Sequence, residues 1–413
     1  ALIVSHRVWV ENSDYWSVFF DISDRTAPKY LDTVEISGFI NGSRLKDGKL
    51  YIVSTDGIYD EINRDDAKTF VPFIEGEAVK PENIYYDDYI FSCPSTTYLN
   101  ITAVNVSDMK PADTLSLLGY GYANIYQSHE NIYCFQYADE GTKIIKISTA
   151  DGIKLVGEYT VPGSLLNSYS MDEYNGYLRV VTTKWENGTR TNGVYVLGEK
   201  MEMVGKIENL ADGERLYSCR FDGDIVYFVT FRETDPLFCA DLSDPKNPKI
   251  LSELKIPGFS EYLHKYSENM LFGLGRSATE TSSGYVKLSM FDITDKTNVT
   301  EIASVELTGV YYTEAAYDFH AILVDGEKGL IGFASERKYF LFTFKDGQFV
   351  KLAELEKEQY DQTRGIYVGD YFFVCERSTI NSYSLESYQL IARAELEKYT
   401  EEIYSEKEYF LID

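Results

Sequence analysis

One phrase recurs along this chain: an apolar run, Asp-x-Ser/Thr-Asp, a short polar turn, then a second apolar run. It reads "VFFDISDRTAPKYLDTVEISGF" near the start, "VTFRETDPLFCADLSDPKNPKILSELKIPGFSEYLH" over residues 229–264, and "LSMFDITDKTNVTEIASVELTG" further on. The strand that precedes each turn can be followed through Phe20, Val104, Ile145, Tyr195, Ala240, Phe291, Phe342 and Tyr383. Successive spacings are 84, 41, 50, 45, 51, 51 and 41 residues. A period of forty to fifty residues built only of short strands is the pattern of a β-propeller with about four strands per blade.

One repeat can be parsed strand by strand. "ERLYSCRFDGD" reads as an inner strand A closed by an Asp-Gly turn, "IVYFVTF" as B, "LFCADLS" as C and "KILSELKI" as the outer strand D. The A–B join returns in "SRLKDGKLYIVST", "SYSMDEYNGYLRVV" and "RGIYVGDYFFVCE". The Asp-x-Ser/Thr-Asp element is then the C–D turn, where Asp and Ser side chains bond nearby backbone and Pro presets φ. It lacks the D-x-D-x-D-G spacing and distal Glu of an EF-hand loop, so no metal is assigned to it. The 84-residue gap holds "DGIYDEINRDDAKTFVPFIEGEAVKPENIYYDDYIFSCPSTTYLN". Its charge and prolines favour an excursion over residues 56–98, between strands B and C of the second blade, rather than an extra blade.

These markers predict a single all-β domain over 1–413: an eight-bladed propeller of four-stranded antiparallel blades, with seven blades as the alternative. The chain starts within strand B of the first blade, and "EEIYSEKEYFLID" at the C-terminus is expected to supply its missing inner strand. Such closure would leave no free sheet edge. Composition agrees, with 35 Tyr and 23 Phe against 3 Trp, residues suited to pleated, half-buried surfaces.

With 39 basic against 66 acidic residues the net charge is −27, which excludes the basic footprint that nucleic acid requires. No apolar run is long enough for a transmembrane helix, and "ALIVSHRVWV" has neither the charged region nor the cleavage site of a signal peptide. Cys93, Cys134, Cys219, Cys239 and Cys375 are odd in number, sparse and set in apolar stretches. They are expected as buried thiols rather than a disulfide framework.

Residues 217–264, "YSCRFDGDIVYFVTFRETDPLFCADLSDPKNPKILSELKIPGFSEYLH", resemble the central signature of a bacterial and archaeal secreted β-propeller family distantly related to WD40 repeats. "SVFFDISDRTAPK…SRLKDGKLYIV" resembles its earlier blade and "FVPFIEGEAVKPENIYYDD" its insertion. The resemblance implies export, with a signal or lipid anchor ahead of the propeller, and brings no assigned activity or catalytic residue. The chain departs from the family at "AAYDFHAILV", where Asp, His, Lys and Ala are more usual in succession.

Catalytic constellations are thin. The four His, His6, His129, His264 and His320, show no paired spacing for zinc. Ser260 near His264 lacks a nucleophile elbow, and "LGYGYANI" and "FGLGRSA" are not phosphate loops. No cofactor or metal is expected. A distant carboxylate pair of the glycosidase kind cannot be picked out among 66 acids.

Topology is more informative. In a propeller the B–C and D–A connections share one face, and loops that vary on a rigid scaffold are where function usually sits. Trp9, Trp16 and Trp185 all lie in or beside B–C connections. They are the primary ligand-binding candidates, able to stack on sugars or clamp peptides, or else simply to cover blade ends. Arg44, Arg220, Tyr262 and His264 on inner strands form a second candidate group where a channel would open, or structural partners of neighbouring acids. The expected function is an exported binding or interaction module, secreted or anchored at the cell surface, monomeric, with an extracellular glycan, peptide or protein as partner. The alternative is an extracellular hydrolase of polysaccharide or peptide.

Overall fold

Each predicted C strand is a strand in the computed structural model, and each belongs to a different sheet. The structure describes residues 2–7, 15–58, 62–86, 97–121, 123–138, 140–231, 235–256, 258–277, 284–358 and 362–395. Eight sheets follow one another along the chain, each antiparallel in its main strands, which is the eight-bladed propeller arrangement. In the fifth, Arg215–Asp222, Ile225–Phe231, Asp235–Asp241 and Lys249–Ile256 are strands A to D, hydrogen-bonded in that order. The first sheet begins with Leu2–Arg7, Tyr15–Asp21 and Lys29–Ile36 in the places of B, C and D. The segment "EEIYSEKEYFLID", expected to complete it, lies outside the described residues.

The chain forms two compact units. One comprises Ala1–Arg179 with Tyr195–Val204, the other Val180–Val194 with Gly205–Asp413. The first has a core of Leu99, Ile101, Leu117, Ile132, Cys134 and Ile145, all fully buried. In the second, Val226, Phe228 and Ala240 pack in one cluster, Tyr227, Leu237 and Phe291 in another, and Tyr339, Leu341 and Phe372 in a third. Strand B and C residues of the fifth sheet are buried on both faces, so "VYFV" and "LFCA" read as unbroken apolar runs rather than alternating ones.

Three repeated devices shape the blades. Two-residue turns close the A–B hairpins: Asp47-Gly48 and Asn175-Gly176 have positive φ at both positions (48° and 74°, 52° and 81°), the type I′ geometry that suits strand twist. The C–D pair of seven sheets carries a bulge next to the turn, with the extra residue on strand D, for example Leu251 opposite Cys239 and Ala240, and Ile302 opposite Met290 and Phe291. A bulge adds local twist, and its recurrence bends these seven blades alike. Last, the Asp-x-Ser/Thr-Asp element is a tandem of side-chain turns. Asp292 Oδ1 accepts from Thr294 N–H (2.9 Å) and Oγ1 (2.6 Å), and Asp295 Oδ1 repeats this with Thr297 (2.9 and 2.7 Å). Asp21 with Ser23 and Asp24 with Thr26 do the same. These carboxylates are occupied as backbone acceptors.

Between Lys49–Gly57 and Thr97–Asn105 the chain leaves the second sheet. There Phe73–Ile74 and Glu77–Ala78 form a hairpin on the outer edge of Lys29–Ile36, while Ile84–Tyr85 runs parallel to the outer strand Lys110–Leu118. One segment therefore bonds to the D strands of both the first and second sheets, at Ile36 of one and at Ser116 and Leu117 of the other. Cys134, Cys219 and Cys239 are buried thiols and Cys375 a half-buried one. Cys93 lies outside the described residues.

Candidate functional site

Antiparallel order dictates that B–C and D–A connections emerge at one end of every sheet. In the second compact unit that end carries rings and guanidinium groups. Trp185, near the end of Tyr177–Glu186, is 66% exposed. The B–C turn Asn187-Gly188, with φ of 52° and 81°, folds the next strand back so that the exposed Arg190 lies 5.3 Å from the Trp185 ring centre. Arg215, the first residue of its strand, is 4.4 Å from the Tyr217 ring. Tyr217, Phe231 and Phe259 form a cluster with centroids 4.7–5.6 Å apart, built from the start of one A strand, the end of its B strand and the start of the next A strand. Tyr285 pairs with Tyr311 at 5.0 Å, and Tyr312 with the exposed Tyr317 at 5.7 Å.

Backbone bonds join the first two of these groups. Gly213 N–H donates to Arg190 O (2.8 Å), Leu216 N–H to Thr183 Oγ1 (2.9 Å), and Thr189 Oγ1 to Asp212 Oδ1 (2.8 Å). The Trp185–Arg190 hairpin is thereby fastened to the segment that delivers Arg215.

Beneath the Tyr312–Tyr317 connection lies a buried polar brace. Lys357 is buried, with Nζ 3.7 Å from Glu314 Oε1 and donating to Thr363 Oγ1 at 2.9 Å. Thr363 N–H donates to Glu314 Oε2 (3.0 Å), and Glu376 accepts from Glu358 N–H (2.8 Å) and Thr379 Oγ1 (3.0 Å). Three connections, carrying Glu314, Lys357 with Thr363, and Glu376, are tied together by these contacts.

The profile of the beta propeller domain family matches residues 7–388. The chain belongs to that family. Two archaeal relatives of the beta propeller domain are themselves described only as uncharacterized proteins. One, from Archaeoglobus fulgidus, is 42% identical over 259 residues, 62% of this chain and 39% of its own length. The other, from Methanocaldococcus jannaschii, is 37% identical over 242 residues, 58% of this chain and 38% of its own. The propeller chain thus spans about two fifths of the length of these relatives. Among solved structures, the C-terminal WD40 domain of Sif2 aligns with a TM-score of 0.40 at 10% identity, covering 67% of this chain and 74% of that one. Apo AztD from Citrobacter koseri aligns with a TM-score of 0.38 at 14% identity, covering 72% and 92%.

In the beta propeller domain the described residues among those singled out from sequence fall in four places. Trp185 stands on the face just described. Trp9 lies outside the described residues, and Trp16 holds a strand position opposite His6 and Glu35. Arg220, Tyr262 and His264 come together on neighbouring inner strands, where Tyr262 Oη and His264 Nδ1 are 2.8 Å apart. Burial pushes His264 down to about 4, and the Arg220 guanidinium acts in the same direction, so the ring is neutral at pH 7. Arg44 belongs to the other compact unit, where it donates to the Gln127 and Ser128 carbonyls (2.8 and 2.7 Å).

Sequence reasoning missed Arg190, Arg215, Phe231, Phe259 and Tyr311. The available signal was positional: each is at or beside the end of a strand where a B–C or D–A connection begins.

Two further groups of the propeller domain bear on catalysis. A cleft of about 410 Å³ is lined by Glu306, Glu336, Lys338, Lys351 and Glu354 among others. Its Lys351–Glu354 (2.7 Å) and Lys338–Glu354 (3.5 Å) pairs hold the Glu354 carboxyl below its usual range, the opposite of what a general acid needs. Glu261 differs, because burial raises its carboxyl even with Arg276 at 3.4 Å.

Proposed function

We propose that this beta propeller domain is a binding module whose ligand sits on the loop-bearing end, at Trp185, Tyr217, Phe231 and Phe259. The observation that carries the reading is the joining of an exposed tryptophan hairpin to a three-ring cluster by the Gly213–Arg190 and Leu216–Thr183 hydrogen bonds. Trp185 exposes a large flat apolar ring at low entropic cost, the property of binding hot spots, and the half-buried Tyr217, Phe231 and Phe259 back it. Work at the cell surface, after export, is part of the proposal. Its support is the likeness of residues 217–264 to secreted propellers, and protease shaving of intact cells expressing the native gene tests it.

A glycan and peptide array probed with the purified chain tests the binding reading. Trp185→Ala should weaken the captured ligand by at least about 2 kcal/mol, roughly thirtyfold. An unchanged affinity in folded Trp185→Ala and Tyr217→Ala proteins would overturn the site. A hydrolase is the second reading, favoured by the raised carboxyl of Glu261 beside Phe259. Release of reducing ends or peptide fragments from the captured ligand, abolished by Glu261→Gln, would replace binding with hydrolysis.

A further inference from the structure

Resting on that reading, we propose that the ligand is an acidic glycan, a sugar chain bearing ring carboxylates, and that Arg190 and Arg215 read its charge. The argument starts from how this chain uses its arginines. Arg179, Arg276, Arg364 and Arg393 each pair with a carboxylate, and Arg44 donates to two carbonyls. With 66 acidic side chains against 39 basic ones, an exposed guanidinium has carboxylates in surplus to meet. Arg190 and Arg215, like the exposed turn residues Arg25 and Arg64, meet none among the described residues, and what sets the first two apart is what they rest on. Each instead lies over a ring, at 5.3 Å from Trp185 and 4.4 Å from Tyr217.

A guanidinium resting on an aromatic face keeps its in-plane N–H donors pointing outward, in the fork geometry that binds a carboxylate through two parallel hydrogen bonds. The ring beneath holds the fork in place, so less side-chain freedom is lost on binding. The backbone bonds between residues 183–190 and 212–216 fix the two forks relative to each other. A ligand matched to this surface needs carboxylates at set intervals on a stiff, flat-sided frame. Uronic acid oligomers have that chemistry, with the exposed Trp185 ring available to a sugar face and the half-buried Tyr217–Phe231–Phe259 cluster backing the second fork. An acidic peptide carries its carboxylates on flexible side chains and gains less from fixed forks.

Calorimetry of the whole chain with tetragalacturonate, its methyl ester and tetraglutamate tests the proposal. Salt of 0.15 M reduces the Debye length to about 8 Å and mutes the general repulsion from a net charge of −27. The free acid should bind at least tenfold more tightly than the ester, and Arg190→Gln and Arg215→Gln should each weaken it about tenfold. Both residues are exposed, so the variants should melt with the parent protein, and that is checked in parallel. Equal binding of acid and ester, parent-like affinity in both Gln variants, preference for tetraglutamate, or no binding of tetragalacturonate overturns it. If tetragalacturonate fails while the array yields another ligand dependent on Trp185, only the acidic-glycan proposal falls. If the array too is blank, the binding reading falls with it.

Discussion

Lys357 shows what a single side chain does here. Its ammonium is buried beside Glu314 and bonded to Thr363, and it bridges connections that the chain reaches at well-separated points. Lys357→Met would leave a buried carboxylate without its countercharge, so urea denaturation should show a loss of about 3–5 kcal/mol. Adding Glu314→Leu to that variant should restore much of it, because the pair then leaves together. His264 supplies the pH counterpart. The folded ring titrates at about 4 and an unfolded one near 6.5, so between these values the unfolded chain holds a proton that the folded chain refuses. Stability is complete above about pH 6.5 and declines as pH falls toward 4, by on the order of 2 kcal/mol for this half-buried group. His264→Gln should flatten that part of the melting-temperature profile.

At the scale of the element, the Asp-x-Ser/Thr-Asp turn is both the chain's clearest sequence signal and a structural part with a measurable role. Hydrogen bonds from the Ser or Thr two residues on lower the carboxyls of Asp21, Asp24, Asp292 and Asp295. Their contribution is therefore present above about pH 4 and lost as pH drops through the lowered folded values. Asp292→Ala should cost about 1 kcal/mol in chemical denaturation, and Asp292→Asn, which keeps an acceptor oxygen, less. A neutral Asp292→Ala would mean that the turn is held by the strands alone.

The strand order was legible for the same reason that this turn was. Local chemistry dictates both: the turn itself is written three times, and the strand that leads into it recurs in all eight sheets, from Phe20 in Tyr15–Asp21 to Tyr383 in Thr379–Ser384. The strands of the 56–98 excursion were not legible. Phe73–Ile74 and Ile84–Tyr85 are two residues long and exist only because an outer strand of another part of the chain lies alongside. The face was legible in part. Trp185 announces itself by rarity, but Arg190 and Arg215 are ordinary arginines until the hairpin turn and the neighbouring strand set them on their rings.

For the molecule as a whole, thiol chemistry gives a direct check on the packing. Cys134 and Cys239 are pushed up to about 12 by burial, so neither is reactive in the folded state at neutral pH. A thiol reagent should react within seconds at no more than the half-buried Cys375 and the undescribed Cys93. After denaturation without reductant it should count all five. Three or fewer would reveal a disulfide. The sparing use of sulfur means that this fold depends on interdigitated apolar strands, and that it can be made in a reducing or an oxidising compartment.

The segment that borders the first two sheets has a colloidal consequence. An outer strand with unpaired amides is a template onto which another chain can add. Later outer strands such as Lys249–Ile256 carry acidic and basic side chains at frequent intervals, which discourages such growth. Lys29–Ile36 carries charges too, but its end is apolar, with Val34 and Ile36 buried, and there the excursion takes up the edge: Ser37 N–H donates to Phe73 O and Glu75 N–H to Glu35 O. Shortening residues 62–86 to a brief linker should therefore leave a protein that folds but gathers into oligomers as its concentration rises, visible by light scattering at concentrations where the parent stays dispersed. On this view the excursion acts as a stopper against polymerisation, placed where two outer strands would otherwise offer their amides.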